Sequence, residues 1–395
     1  MISVQEAREK IAAFHSSAEI KQVKLPESPG YVLAQNIHAP IALPFFIQSS
    51  VDGYALKFSD QTTSQYELLK GESSAGKPSD KTLLPGQALR VFTGAALPAG
   101  TDAVVMQEKV HVKDNSLLID GPLPENGMNM RQPGSDLPLH ELALKKGTRL
   151  NPPQIGLLAA LGIEEISIYK APAISMLITG NEFTPAGEPL KEGFIYESNS
   201  YMLQACLRQL GVQDVKTEVV KDDPSSMLEA LQKALIVSDI VLITGGVSVG
   251  DYDYTVQTAE KTGVKQVFHK ISQRPGKPIY FGMKDNIFVF GLPGNMSSVL
   301  TCFYIYIAPL IASLMQIENP IIRTEAKLAE DAKSSKGLTS FLKGFYKDGI
   351  VTPLPGQESY KLKSFADANC LIEIPEDTTH QVAGTNTTIY ILPEF

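Results

Sequence analysis

Val4, Ala7, Ile11 and Phe14 recur at helical spacing among charged residues, directly behind Ser3-Val4-Gln5-Glu6. A hydroxyl followed three positions later by a carboxylate is a capping box, so a helix is predicted to start there. Residues 1–40 read as helical and then extended, ending at Pro40. From 41 to 136 the apolar runs shorten to pieces such as Ala88–Phe92, Ala103–Met106 and Val110–Val112, separated by Gly, Pro and Asp. That texture predicts a β-rich module. Pro152 then opens an apolar helix through Leu157, Leu158 and Leu161 that Gly162 stops. It matches the N-terminal helix in texture, so 1–40 and 137–169 are expected to close one discontinuous domain around the β module.

The pattern is clearest from 170 to 318. Strands are predicted at Ile174–Thr179, Val215–Val220, Ile240–Thr244 and Ile287–Phe290. Between them lie helical periods at Asn199–Leu210, from Asp223-Pro224 through Met227, Leu228, Leu231 and Leu235, and at Tyr254–Lys261. Strand and helix in alternation argue for a parallel, doubly wound α/β sheet. After residue 319 the texture is β again, with Ile350–Thr352, Leu371–Ile374 and Thr388–Leu392 between turns. The expected fold class is α/β plus β modules: a central doubly wound α/β domain, a β-rich module and a small C-terminal β domain. Leu300–Met315 is the longest apolar stretch, interrupted by Pro309 and Ser313. It is shorter than the roughly 20 residues that span a bilayer, so it reads as a buried or subunit-contact helix.

Composition narrows the picture. The 395 residues, 43% hydrophobic and 20% charged, exclude a disordered chain and allow two to four domains. The formal net charge of −8 argues against general binding to nucleic acid or an anionic membrane, both of which need clustered positive charge. The start of the chain does not read as a signal peptide. Cys206, Cys302 and Cys370 are far apart and odd in number, which points to a reducing cytoplasm rather than a disulfide framework. The six histidines are scattered, so any metal is expected to be a hard ion on carboxylates.

Three loops fall at predicted strand ends, where ligands of doubly wound sheets bind. They are Thr179-Gly180-Asn181-Glu182, Thr244 to Asp251 with Gly245, Gly246 and Ser248, and Gly291-Leu292-Pro293-Gly294-Asn295. None is a Walker A loop or a dinucleotide fingerprint. Residues 261–277 carry Lys261, Lys265, Lys270, Arg274, Lys277 and His269 without a carboxylate. The Arg274-Pro275-Gly276-Lys277-Pro278 end has a backbone stiff enough to aim its cations at an oxyanion. Carboxylates beside turns, Asp52, Asp136, Glu182, Asp222, Asp223, Asp251 and Asp253, suit a hard ion. Each alone is equally an ordinary turn, a solvated face or, at Asp223, a helix cap. A covalent nucleophile has no support, since neither Ser248 nor any cysteine has a base beside it in sequence.

Taken in order, SSVDGYAL (49–56), VFTGAALPAGTDAVVMQE (91–108), NMRQPGSD (129–136), ITGNE (178–182), IYESN (195–199), DDP (222–224), ITGGVSVGDYDYT (243–255), RPGKP (274–278) and GLPGN (291–295) resemble the MoeA/gephyrin E-domain family, the molybdopterin molybdenumtransferases. KSFADANCLIEIPED (363–377) is similar to that family's last domain. The resemblance implies four modules, 1–40 with 137–169, 41–136, 170–318 and 319–395, in an elongated homodimer. The α/β module would be similar to the molybdopterin adenylyltransferase fold, and the last module a small β-barrel. It implies insertion of molybdenum from molybdate into adenylylated molybdopterin with release of AMP, magnesium as helper ion, and substrate handover from an adenylyltransferase. Glu182, Asp222 and Asp253 are implied in metal and substrate chemistry. Gly245, Gly246, Ser248, Lys270, Arg274, Lys277, Pro293 and Gly294 are implied in binding. Asp52 and Asp136, with Thr93 and Arg131, are implied to face the partner subunit's cleft. The chain departs from the family pattern at Asn181, Ser135, Arg274 and Met296. A scaffold protein of the same fold, or an adenylyltransferase acting one step earlier, are the rival readings.

Overall fold

The strands Ile174–Thr179 (ISMLIT) and Ile240–Thr244 (IVLIT) are mostly apolar and buried along their whole length, as strands covered on both faces must be. The computed structural model, which describes residues 1–14, 18–60, 62–245 and 254–393, places them inside a six-stranded sheet. The order is Val215–Val220, Ile174–Thr179, Ile240–Thr244, Ile287–Leu292, Tyr280–Lys284, Lys265–His269. The first four strands are parallel, as predicted; the last two are antiparallel. The sheet is therefore mixed rather than wholly parallel. Its antiparallel edge leaves no helical period in the sequence, because only the turn Asp285-Asn286 joins Tyr280–Lys284 to Ile287–Leu292.

Side-chain alternation along the strands feeds two cores. Ile174, Met176 and Ile178 join Leu203 and Leu207 of the helix Asn199–Gln209, and Val4, Ala7 and Ile11 of the first helix. Leu177, Val241 and Ile243 face Met227, Leu231 and Leu235 of the helix Pro224–Val237. The predicted capping box is formed: Glu6 N–H donates to Ser3 Oγ at 3.1 Å and Ser3 N–H to Glu6 Oε2 at 2.7 Å. Asp223 caps its helix by accepting from Ser225 and Ser226 N–H, both at 3.0 Å.

The apolar run after GLPGN is one helical rod, α over Met296–Cys302, π over Phe303–Ile307 and α again over Ala308–Leu314. The wide turn stands just before Pro309, whose missing N–H cannot continue the α ladder. By length and composition this 19-residue rod could cross a membrane, with a mean hydropathy of 1.7 over its most apolar 18 residues. It is 89% buried within the protein, so it serves as a core helix. Beyond it, Ile322–Leu328, Thr339–Lys347, Ile350–Pro353, Cys370–Ile374 and Asn386–Ile391 close into a five-stranded barrel through the pairing of Thr339–Lys347 with Cys370–Ile374. Gln273–Arg274 adds a short parallel strand to the barrel at Thr339 and Ser340.

These elements belong to one of two compact units, residues 1–22, 30–34 and 167–395. The other comprises residues 23–29 and 35–166. It is built on a sheet ordered Ala103–Met106, Gly53–Leu56, Gln87–Val91, Gln65–Ser73, Ser116–Ile119, Val110–Lys113. Ala55, Leu89 and Val104 fill one side of this sheet; Leu56, Ala88 and Leu117 fill the other. Leu142–Leu144 pairs with Ile37–His38, and the predicted helix runs from Pro152 to Ala160.

Candidate active site

In the larger unit the sequence-predicted loops converge because the sheet registers them. Thr179 is level with Val220, Ile178 with Thr244, and Thr244 with Leu292. The segments beginning at Gly180, Lys221, Gly245 and Pro293 therefore leave the same edge. Connections run to opposite sides of Ile174–Thr179, which makes its carboxyl end a switch point. Gly245 is left-handed (φ 81°), and a Cβ there would stand 2.3 Å from Thr179 O. Only glycine brings the chain this close. A Cβ on Gly294 would stand 4.0 Å from Gly245 Cα, so the second and third loops pass close together.

The acidic side of this edge carries Glu182 and Asp222, both exposed. Asn181 ties their loops together, its Oδ1 accepting from Asp222 N–H at 3.2 Å. Gly246, Ser248, Asp251 and Asp253 lie outside the described residues. Among the described residues no group of three or more His, Cys, Asp or Glu is placed to hold a metal. The donors at hand are two carboxylates, without sulfur or imidazole. That set fits magnesium, which takes one or two carboxylates and completes its shell with water and substrate phosphate.

The basic run divides. Lys261 ends a helix and Lys265 begins the edge strand, whereas Lys270, Arg274 and Lys277 lie on the segment from His269 to Tyr280. His269 pairs with Tyr280, and Tyr280 with Gly291. The Lys270–Lys277 segment thus emerges at the same sheet edge as GLPGN. Buried Gln273 supports it from below, donating Nε2–H to Pro275 O at 2.9 Å and accepting the Tyr306 hydroxyl. Arg274 is exposed, its Nη1 3.1 Å from Ser335 Oγ, and the Arg274–Pro275 bond is cis.

Residues that carried no sequence-derived role complete the edge. Asn199 of IYESN donates Nδ2–H to Gly294 O at 3.0 Å. Its Oδ1 and Thr244 Oγ1 are buried and have no hydrogen-bond partner. Buried polar atoms without partners are rare in folded proteins and mark a place where a ligand would satisfy them. The motif itself was the available signal; the missing partner was not readable from sequence. All three thiols are buried and deprotonate only at high pH, Cys206 at about 11 and Cys302 and Cys370 at about 12, which leaves them inert as nucleophiles.

In the smaller unit Asp52 and Thr93 meet directly. Asp52 Oδ1 accepts from the Thr93 N–H and hydroxyl, both at 2.8 Å. These bonds, with the Arg90 charge, hold the Asp52 carboxyl below its ordinary range. Arg90 was not foreseen; its guanidinium lies 4.9 Å from the ring centroids of both Tyr54 and Phe92. Arg131 is exposed on the strand Met130–Arg131, which pairs with Gln48–Ser49. Asp136 sits on a separate turn, its N–H bonded to Leu43 O at 3.0 Å.

Three family descriptions match the chain: the MoeA N-terminal region (domain I and II) over residues 2–162, a probable molybdopterin binding domain over 175–313, and the MoeA C-terminal region (domain IV) over 325–392. The molybdopterin molybdenumtransferase of Haemophilus influenzae is 33% identical, with 98% of each chain covered. That of Nostoc sp. is 32% identical over 96% of this chain and 90% of the relative. Among solved structures, the molybdopterin biosynthesis MoeA protein of Pyrococcus horikosii superposes with a TM-score of 0.83 at 30% identity, covering 100% of both chains.

Proposed function

Because the chain belongs to the MoeA family of molybdopterin molybdenumtransferases, we propose that its strand-end edge is where molybdenum enters molybdopterin. The chain is a transferase of molybdenum cofactor biosynthesis. Its relatives span nearly the whole length, β module and barrel included, which disfavours both an adenylyltransferase and a scaffold. The observation that carries the site reading is the convergence of four strand-end segments and the Lys270–Lys277 segment on one sheet edge, with two buried polar atoms left without partners there.

The substrate we assign is adenylylated molybdopterin, with molybdate as co-substrate. Lys270, Arg274 and Lys277 neutralise phosphate or molybdate oxygens, and Arg274 offers a planar fork suited to two of them. Gly245, Pro293 and Gly294 let the pyrophosphate approach the backbone. A water oxygen adds to phosphorus as the bridging P–O bond of the pyrophosphate link breaks, so AMP and the molybdopterin phosphate separate, and the two dithiolene sulfurs replace molybdate oxygens, which leave as water with the thiol protons. Glu182 and Asp222 are the residues that would hold magnesium, with Asp253, outside the described residues, assigned to it by the family resemblance. When bound, the ion supplies positive charge to the pyrophosphate oxygens. Asp52, Thr93, Arg131 and Asp136 of the smaller unit we assign to facing the partner subunit's cleft in a homodimer. The four-module division, the cytoplasmic location, in which three free thiols persist, and handover from an adenylyltransferase belong to the same proposal.

Purified protein incubated with adenylylated molybdopterin, molybdate and magnesium should release AMP and yield active cofactor, and Glu182→Ala should lose at least about 100-fold in rate. AMP release by Glu182→Ala at the wild-type rate would remove the site assignment. The same preparation should sediment at twice the 42.9 kDa chain mass.

A further inference from the structure

We propose that Lys343, in the barrel, is a positioning residue of the strand-end edge: its buried ammonium clasps the loop 354–361, and that loop holds residues 294–297 in place. Lys343 is only 3% exposed, although the strand it occupies gives the sequence no reason to bury a lysine. Its ammonium has three donors to satisfy. Three carbonyls of one loop take them: Gly356 O at 2.7 Å, Lys361 O at 3.1 Å and Glu358 O at 3.3 Å. The main chain of the same residue is tied to the same loop. Lys343 N–H donates to Gln357 Oε1, and Lys343 O accepts from Gln357 Nε2–H and Leu354 N–H, all at 2.9 Å. A charge this deep is tolerated only with its hydrogen bonds made, so the loop has one low-energy shape.

That shape is passed to the site. Ser359 Oγ accepts from Asn295 Nδ2–H at 3.0 Å, and Ser359 O from Ser297 N–H at 3.1 Å. Ser297 Oγ donates to Lys361 O at 3.3 Å. On the other side Gly294 O is taken by Asn199. The turn that leads from the strand into the core helix is therefore gripped from both ends, once by the α/β sheet's own helix and once by the barrel. Lys361 O joins the clasp to the link on the barrel side, accepting both the Lys343 ammonium and the Ser297 hydroxyl. Lys343 makes none of the strand-end hydrogen bonds itself; it acts through the loop. A site loop displaced by about an ångström loses much of its preorganisation, which gives the barrel a task in binding.

The kinetic arm of the test rests on the site reading above, while the exchange arm does not. Lys343→Met in the full chain keeps the stem and deletes the ammonium. Amide hydrogen exchange at residues 294–299 and 356–361 should accelerate at least about tenfold. KM for adenylylated molybdopterin should rise about tenfold with kcat held within about threefold. Ser359→Ala removes one of the three bonds of the link, the one from Asn295 Nδ2–H to Ser359 Oγ, without touching the buried charge. It should speed exchange at 295–299 alone and raise KM about threefold with an unchanged melting temperature. Unchanged exchange at 294–299 in Lys343→Met overturns the proposal, as does a loss confined to kcat. If Lys343→Met does not fold, Ser359→Ala decides alone, and wild-type exchange with wild-type KM overturns it. Should the wild type release no AMP, the site reading fails while the exchange result still judges the clasp.

Discussion

Asp222 and Asp223 are neighbours with different work. Asp223 turns back onto its helix and accepts from the hydroxyls and amides of Ser225 and Ser226. These bonds, the Ser225 hydroxyl first, hold its carboxyl well below the usual range. Asp222 keeps its carboxylate exposed beside Glu182's loop. The order Asp-Asp-Pro makes the division legible, since proline fits the first helical turn and the residue before it must be extended. A carboxyl depressed in the folded state contributes stability above its unfolded value, near about pH 4, and that contribution is lost as pH falls through the folded value. Asp223→Ala should therefore melt lower than wild type at neutral pH. Between about pH 5 and pH 2 its melting temperature should fall less than the wild type's. Parallel acid curves would refute the assignment, and AMP release at neutral pH should be nearly unaffected.

Among the elements, those with strong periodicity were readable: the capped first helix, the buried parallel strands and the helix after Pro224. The antiparallel strands Lys265–His269 and Tyr280–Lys284 were not, because neither is joined to its neighbour by a helix, Tyr280–Lys284 running into Ile287–Leu292 through a two-residue turn, and lysines sit at their ends. The barrel strands Ile322–Leu328 and Thr339–Lys347 were missed for a related reason, their polar residues facing solvent or, at Thr339, Ser340 and Lys343, buried. Two glycines test how rigid these elements are. A Cβ on Gly53 would stand 2.0 Å from Val105 O, in the backbone of a paired strand that cannot yield. Gly156, within the helix Pro152–Ala160, has nothing within 4 Å. Gly53→Ala should lose about 2–4 kcal/mol in denaturant unfolding. Gly156→Ala should gain about 0.5–1 kcal/mol. Equal effects of the two would contradict the packing described.

For the molecule as a whole, the net charge of −8 conceals a local cationic segment. Lys270, Arg274 and Lys277 stand on the edge to which we assign an anionic substrate, while the acidic excess is spread over the rest of the chain. Screening should weaken the local attraction more than it relieves the distant repulsion, because the Debye length falls from about 10 Å at 0.1 M salt to about 3 Å at 1 M. KM for adenylylated molybdopterin should rise several-fold between about 0.05 M and 0.5 M potassium chloride. A fall in KM with salt would show that the overall charge governs binding.

The sequence by itself determined the elements whose burial repeats with a period, the helix caps, the glycine turns at strand ends and the family that carries them. Each of these depends on residues a few positions apart, so local order records it. Only the tertiary structure decided which loops share an edge, since strand order comes from pairing between segments tens of residues apart. It also decided which cations of the 261–277 run reach that edge, and that Lys343 points inward to three carbonyls. A charged side chain satisfied by distant backbone looks, in sequence, the same as one satisfied by water.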